Sequence, residues 1–250
     1  MATVASVVIA NLNLRRLSIA AAVLIAVNVA CSKIVLAADP VRIVALGDSL
    51  TAGWGLLADA AFPARLQRAL AARGLAVEIT NAGVSGDTAA GGLARMDWAV
   101  PPGTEAVILE LGGNDGLFAA DPGDTKDTLN QIIRRLKARN IAILFCGIKA
   151  PRHYGNEYIR AFDGLFPRLA ANHGLLFYPF FLDGVVYHPV RAQPDGIHPT
   201  AAGIDYIVAR ILPKAEELVA QAKQRRPGYV ATDRAQDLAT QSSIANSNLP

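Results

Sequence analysis

Short apolar runs alternate along the chain with longer segments in which apolar residues recur at helical spacing. Almost continuous apolar runs, such as residues 141–145, are typical of strands buried on both faces of a parallel sheet. Apolar residues three and four positions apart indicate helices with one buried face. The pattern predicts strands over residues 42–46, 77–81, 106–111, 141–147 and 175–178, and helices over 62–73, 125–139, 157–172 and 201–221.

This alternation of strands and helices predicts an α/β fold. Parallel strands need long crossover connections, and helices in those connections cover the faces of the sheet. We therefore expect a three-layer α/β/α sandwich around a central, mostly parallel five-stranded sheet. The chain has 250 residues, of which 52% are hydrophobic, and this is enough for one large core.

Polar and glycine-rich segments follow three of the predicted strands. Gly-Asp-Ser at 47–49 follows the first strand, Asn-Ala-Gly at 81–83 begins at the last residue of the second, and Gly-Gly-Asn at 112–114 follows the third. A fourth segment, Asp-Gly-Ile-His at 195–198, lies near the end of the periodic region. Since open parallel sheets bind ligands beyond the carboxyl ends of their strands, we expect the four segments to meet in one crevice.

The residue types in these segments fit hydrolysis by a serine nucleophile. A serine is a weak nucleophile at neutral pH, so it needs a neutral imidazole to accept its proton and a carboxylate to orient that imidazole. Ser49, His198 and Asp195 supply the three groups. The backbone N–H groups of Ser49 and Gly83 and the amide of Asn114 could form an oxyanion hole.

With these four segments in this order, the chain resembles the SGNH, or GDSL, hydrolase superfamily. The resemblance assigns Ser49 as the nucleophile, Asp195 and His198 as the orienting acid and the base, and Gly83 and Asn114 as oxyanion donors. It covers residues from about 41 to about 221 and implies the flavodoxin-like fold of that superfamily. The segments 111–117, 149–155 and 180–185 further resemble the branch that contains bacterial thioesterase I, lysophospholipases and arylesterases.

The resemblance implies a serine esterase that acts on small-molecule esters or thioesters, among them aryl esters, short to medium acyl esters, acyl-CoA and lysophospholipids. Two alternatives stay open: a carbohydrate O-deacetylase on the same fold, and a ligand-binding protein without activity. Leu56, Leu57, Leu117 and Phe118 lie in loops near the expected site and favour an acyl or aryl substrate, although they could equally belong to the core.

Several polar residues have structural interpretations. Asp48 and Asp115 could each cap the helix that follows, since aspartate accepts hydrogen bonds from exposed helix N–H groups. His173 precedes Gly174 in a pattern typical of a helix C-terminus. His188 could line the rim of the site without a part in catalysis, and Cys146 lies in an apolar run that predicts a buried thiol.

The two ends of the chain differ in composition from its middle. Arg15 and Arg16 precede an apolar stretch over 17–30, and Val-Leu-Ala at 35–37 offers a cleavage site, so we expect a signal peptide over 1–37 and a periplasmic or secreted protein. A lipid-modified Cys31 and a retained anchor helix are the alternatives. The hydrolase domain is expected over 38–222, without a stable membrane span after cleavage, and a disordered polar tail over 223–250.

The formal net charge of +3 belongs to this leader. Residues 1–38 carry three basic and no acidic residues, which leaves 21 basic and 21 acidic residues in the remainder. A basic surface for nucleic acid is therefore not expected. The sequence also lacks the common zinc, dithiol and phosphate-loop motifs, so neither a metal nor a cofactor is expected.

Overall fold

The computed structural model describes residues 39–227. Its five strands form a sheet in the order β2-β1-β3-β4-β5, and every neighbouring pair is parallel. The sheet is thus entirely parallel, where the sequence predicted a mostly parallel one. The strands are β1 (Val41–Gly47), β2 (Val77–Gly83), β3 (Ala106–Glu110), β4 (Ala142–Cys146) and β5 (Leu176–Tyr178).

Seven α-helices connect or follow the strands in residues 39–227. They are α1 (Ser49–Ala52), α2 (Phe62–Ala72), α3 (Ala89–Ala99), α4 (Gly113–Leu117), α5 (Pro122–Ala138), α6 (Asn156–His173) and α7 (Ala201–Gln224). The four predicted helices are confirmed within a few residues of their ends, whereas α1, α3 and α4 were not predicted.

The helices cover both faces of the sheet. Helices α2 and α7 pack together on one face, and α3, α5 and α6 form a layer on the other. All residues of β3 and β4 are buried, because these strands have helices on both sides, whereas the edge strand β2 is largely half-buried or exposed. The three-layer sandwich predicted from the sequence is confirmed.

The strand order fixes where a site can form. From β1 the chain crosses to β2, the neighbour of β1 on one side within the sheet. It then passes back to β3, the neighbour of β1 on the other side. The connections that follow β1 and β3 therefore diverge at their carboxyl ends and leave a crevice between them. Ser49 follows β1 and Asn114 follows β3, so both candidate residues lie at this crevice.

The predicted signal peptide over 1–37 and the residues 228–250 of the predicted tail lie outside the described residues. Helix α7 continues through Pro213 to Gln224, two residues beyond the predicted domain boundary at 222. Within residues 39–227, no helix is both long enough and apolar enough to cross a membrane.

Candidate active site

The candidate nucleophile lies in a tight turn between β1 and α1. The side chain of Asp48 caps α1 by accepting a hydrogen bond from the N–H of Leu50 at 3.0 Å, which confirms the capping interpretation of this residue. Gly47 leaves no room for a side chain, because a Cβ atom there would lie 2.0 Å from Oγ1 of Thr51. The turn therefore holds Ser49 at the first position of α1.

The segment Asp195 to His198 holds the candidate base in place. One oxygen of Asp195, Oδ1, accepts hydrogen bonds from the N–H groups of Ile197 and His198 at 2.8 and 2.9 Å. The other, Oδ2, lies 2.7 Å from Nδ1 of His198, and Nε2 of His198 lies 2.9 Å from Oγ of Ser49. The structure thus brings Ser49, His198 and Asp195 together in the predicted order.

A single glutamine joins the loop after Ser49 to the loop that carries His198. Nε2 of Gln193 donates to the carbonyl oxygens of Trp54 and Pro199 at 2.7 and 3.0 Å. The indole of Trp54 lies against the imidazole of His198, with ring centroids 6.1 Å apart. Sequence reasoning missed both residues, because Gln193 and Trp54 are 139 positions apart and carry no motif.

The charge of Asp195 suits an orienting role. Partial burial acts to raise the pKa of this carboxyl, but the hydrogen bonds from Ile197 and from the ring and backbone of His198 outweigh it and hold the pKa below its usual range. Asp195 is therefore ionised at neutral pH. An ionised carboxylate that accepts from Nδ1 leaves Nε2 as the acceptor for the hydroxyl of Ser49.

Two buried carboxyl groups lie beneath the nucleophile turn. Oε2 of Glu110, at the end of β3, accepts a hydrogen bond from the hydroxyl of Thr51 at 2.8 Å. Burial raises the pKa of Asp48 to about 7 and raises the pKa of Glu110 well above its usual range, with a further contribution from Asp48. Burial therefore favours the neutral form of Glu110. Its position in an apolar strand gave no signal in the sequence.

Asn114 points its amide group towards the residues around the nucleophile. Its Nδ2 donates to the carbonyl oxygen of Asp87 at 2.7 Å and lies 3.5 Å from Oδ2 of Asp48. The amide carries two hydrogens: one is donated to Asp87, and the other makes only the long contact with Asp48. Asn114 lines the same cavity as Ser49 and His198.

Gly83 is placed differently from the expected oxyanion donor. Its N–H donates to Oδ1 of Asn81 at 2.9 Å, and Gly83 does not line the cavity that contains Ser49. A Cβ atom at Gly83 would lie 2.2 Å from the backbone nitrogen of Ala52. The glycine is thus required for the close approach of β2 and α1, and its N–H is occupied in this structure.

The loop after β2 holds another glycine with a free N–H. Within residues 39–227, no hydrogen-bond acceptor contacts the N–H of Gly86. Gly86 precedes Asp87, whose carbonyl oxygen contacts Asn114 and whose carboxylate pairs with Nε of Arg95 at 2.5 Å. Nη2 of Arg95 also donates to the carbonyl oxygen of Gly47 at 2.8 Å, so this buried arginine links the loop to the nucleophile turn.

Asp115 is structural, but it caps a different helix from the one expected. Its Oδ2 accepts from the N–H of Ala89, the first residue of α3, at 2.8 Å, and its Oδ1 accepts from the hydroxyl of Thr125 at 3.3 Å. Asp121 caps the following helix, α5, instead. The capping of a helix that is distant in sequence could not be predicted, because α3 itself was not recognised.

The other histidines are apart from the catalytic group. His173 ends α6, as predicted, and its ring contacts Asn130 at 2.7 Å. His188 accepts two backbone N–H bonds in its own loop and does not line the cavity, whereas His153 does. Cys146 is buried as expected, and burial raises the pKa of its thiol.

A cavity of about 510 Å³ opens beside Ser49. Leu117 lines it, while Leu57 and Phe118 are exposed and Leu56 packs against the core. Most of its walls are apolar, and the lining also includes basic side chains. The apolar lining residues are Leu50, Leu117, Ile148, Ala150, Pro151, Phe180, Leu182, Val186 and Ile197, and the basic ones apart from the catalytic histidine are Lys149, Arg152 and His153.

No group of three or more His, Cys, Asp or Glu side chains in residues 39–227 is arranged to hold a metal ion. A serine, a histidine and a carboxylate in hydrogen-bond contact beside an apolar cavity, at the carboxyl edge of a parallel sheet, define a serine hydrolase. The comparisons with known proteins give the family.

Residues 45–205 match the model of the GDSL-like lipase/acylhydrolase family, and the chain belongs to this family. It is similar to thioesterase 1/protease 1/lysophospholipase L1 of Escherichia coli K12, with 38% identity over 73% of this chain and 86% of that protein. Esterase TesA of Pseudomonas aeruginosa PAO1 is 37% identical over 70% of this chain and 87% of its own length.

Solved structures agree with this assignment. The crystal structure of TesA superimposes with a TM-score of 0.68 and 35% identity over 71% of this chain and 99% of that one. The family and these relatives support hydrolysis of small-molecule esters, so the protein is an ester-hydrolysing serine hydrolase.

Proposed function

We propose that this protein cleaves carboxylic esters and thioesters through an acyl-enzyme on Ser49. The observation that carries the proposal is the continuous hydrogen-bond chain from Asp195 through His198 to Oγ of Ser49, with distances of 2.7 and 2.9 Å. The 2.9 Å distance between His198 and Ser49 allows direct proton transfer, and the 2.7 Å distance between Asp195 and His198 is that of an orienting hydrogen bond.

In the first half-reaction, Oγ of Ser49 attacks the carbonyl carbon while Nε2 of His198 takes the hydroxyl proton. The tetrahedral intermediate then collapses, and His198 returns the proton to the leaving alcohol or thiol. In the second half-reaction, His198 takes a proton from water, the resulting hydroxide attacks the acyl carbon, and Ser49 leaves with the proton. Asp195 stays ionised throughout and stabilises the imidazolium.

The negative oxygen of the intermediate needs fixed donors. The N–H of Ser49 and Nδ2 of Asn114 suit this role, because the first has no acceptor within residues 39–227 and one hydrogen of the second makes only the 3.5 Å contact with Asp48. Gly83 can contribute only if Asn81 releases its N–H. Gly86, in the loop that contacts Asn114, has no acceptor for its N–H within residues 39–227 and is the alternative third donor.

The cavity favours an acyl or aryl substrate over an acetylated sugar. Its walls are mostly apolar, and burial of a CH₂ group is worth about 0.8 kcal/mol, so each additional pair of methylenes should strengthen binding until the cavity is full. A cavity of about 510 Å³ has room for a short to medium chain. The names of relatives include thioesterase, esterase and lysophospholipase, which agrees with such substrates.

We expect this activity in the periplasm or outside the cell, because the leader over 1–37 combines basic, apolar and small-residue segments. A panel of nitrophenyl esters, acyl-CoA thioesters, lysophospholipids and acetylated sugars tests the substrate class. We expect kcat/KM to rise with chain length among the nitrophenyl esters and then to level off. Preferred cleavage of acetylated sugars would replace this proposal with the deacetylase alternative.

A further inference from the structure

The exposed hydrophobic side chains gather at one edge of the molecule. Among residues 39–227, seven of the eight large hydrophobic side chains that are exposed lie on segments that follow the carboxyl ends of strands. They are Trp54, Leu57, Val84, Leu117, Phe118, Tyr187 and Val190, and the eighth is Trp98 on α3. Isolated exposed hydrophobic residues are ordinary, but a grouping around one opening is not.

Individual contacts place several of these residues at the mouth of the catalytic cavity. Leu117 and Tyr187 line the cavity, and the ring of Trp54 lies 6.1 Å from that of His198. Phe118 follows Leu117 directly, and its side chain is 71% exposed. We call the four residues Trp54, Leu117, Phe118 and Tyr187 the apolar rim.

The charges near the apolar rim favour an anionic partner. The lining of the cavity, all of it within residues 39–227, has Lys149, Arg152 and His153 as basic side chains besides the catalytic His198, and Asp48 as its one carboxyl group. Lys149 lies over the ring of Phe180 at 4.9 Å and has no carboxylate partner within residues 39–227, and Arg152 pairs with Asp163 while remaining mostly exposed.

The carboxylates on the same edge are mostly engaged. Asp87 pairs with Arg95, and Asp183 pairs with Arg210. Asp115 is buried, and Asp195 contacts His198. Lys149 therefore remains a cation without a carboxylate partner in the described part of the chain, and Arg152, the other cation of the lining, keeps most of its side chain exposed.

We infer that the apolar rim docks the protein onto the surface of an anionic phospholipid bilayer, with Lys149 and Arg152 facing the lipid head groups. Aromatic and aliphatic side chains beside basic ones are the composition of surfaces that bind in the membrane interface. The catalytic cavity would then open towards the acyl chains. Docking does not require the chemistry of Ser49, so it can be tested separately from the proposed hydrolysis.

The two tryptophans of the chain make a direct test possible. Trp54 belongs to the apolar rim, whereas Trp98 lies near the C-terminal end of α3, in the connection that leads to the amino end of β3. Both indoles are exposed, at 54% and 71% respectively. In a Ser49→Ala background, Trp98→Phe leaves Trp54 as the sole fluorophore, and Trp54→Phe leaves Trp98.

Each variant is expressed as the full chain and purified in the form that remains after processing by the cell. It is then titrated with phosphatidylglycerol vesicles, with and without bromine-labelled acyl chains. We expect the emission of Trp54 to shift to shorter wavelength and to be quenched by bromine, and that of Trp98 to stay unchanged. Phe118→Ser should weaken vesicle partition about tenfold, the lower part of the range for burial of a large apolar side chain. Arg152→Gln should weaken it about fivefold.

Two controls make the result specific. Arg134→Gln removes an exposed arginine near the C-terminal end of α5, away from the apolar rim, and should leave partition unchanged. Hydrolysis of a soluble short-chain ester by Phe118→Ser and Arg134→Gln, each with Ser49 intact, should also stay near the wild-type rate, so that a failure of docking is distinguishable from a failure of the proposed activity.

Three results would overturn the inference. The first is the absence of any change in Trp54 emission with vesicles. The second is an equal response of both tryptophans, which would indicate contact through another part of the chain. The third is a shift in Trp54 emission that depends on protein concentration without lipid, since the apolar rim would then join two copies of the chain.

Discussion

Replacement of Asn114 tests whether this residue acts on the transition state. Its amide is proposed to meet an oxygen that becomes fully anionic only in the tetrahedral intermediate. Loss of one such donor typically lowers kcat by about 10²- to 10³-fold, which corresponds to about 2.7–4 kcal/mol. Because the ground-state carbonyl gains little from this donor, KM should change little in Asn114→Ala.

Replacement of Asn114 by alanine also removes a structural hydrogen bond. In the free enzyme, Nδ2 of Asn114 makes one short hydrogen bond, to the carbonyl oxygen of Asp87 at 2.7 Å, and a marginal one to Asp48 at 3.5 Å. A neutral hydrogen bond contributes about 0.5–1.5 kcal/mol net to stability. Asn114→Ala should therefore lower the free energy of unfolding by about 1 kcal/mol, a small change beside the catalytic one.

Asn130→Ala is the matched control, because Asn130 also makes one 2.7 Å side-chain hydrogen bond, to His173, far along the chain from the site. Steady-state kinetics and thermal melting should show a similar small loss of stability in both variants and a loss of kcat only in Asn114→Ala. Asn114→Asp, which cannot donate when ionised, should fold and be inactive. An active Asn114→Asp enzyme, or equal kcat values for the two alanine variants, would refute the oxyanion role.

Three other changes have defined outcomes. Asp195→Asn should lower kcat by up to about 10⁴-fold in an ester assay while the fold by circular dichroism is kept, because an amide no longer favours the imidazole tautomer that accepts from Ser49; near wild-type turnover would argue against the orienting role. The pKa of Asp48 is about 7 in the folded protein against an ordinary 3.8, so folding takes up a proton between these values and the wild type loses stability as pH rises from about 4 to about 7. Asp48→Asn lacks this loss, and its stability relative to wild type in denaturant titrations should increase over that window and level off above it; a constant difference would contradict the raised pKa. N-terminal sequencing of the exported protein should begin at Ala38, and a start at Met1 or a lipid-modified Cys31 would show a retained leader.

Most of the sheet was predictable from the sequence because β3 and β4 are buried on both faces and consist of apolar residues. Helix α3 was missed because its segment has no clear apolar stripe. The segment also begins Ala-Ala-Gly-Gly, and glycine is a poor helix former. The glycine at position 92 is explained by a tertiary contact, because a Cβ atom there would lie 2.2 Å from the side chain of Leu111. Such a close contact cannot be read from local pattern.

Prediction of the site succeeded where the chemistry is local and failed where it depends on distant contacts. The grouping of Asp195 with His198 follows from their separation by two residues, and Ser49 follows a recognisable strand. The engagement of Gly83 by Asn81 arises from side-chain geometry in β2. Glu110 was missed because it ends an apolar strand, and only its contact with Thr51 reveals a role beneath the nucleophile.

The most direct test of the central claim is detection of the acyl-enzyme on Ser49. Rapid mixing of the protein with a nitrophenyl ester, followed by acid quench and peptide mass analysis, should show a burst of nitrophenol and one added acyl group on the peptide that contains Ser49. The Ser49→Ala variant should remain folded and show neither signal. Acyl label on a different residue, or ester turnover by Ser49→Ala near the wild-type rate, would contradict the assignment of Ser49 as the nucleophile.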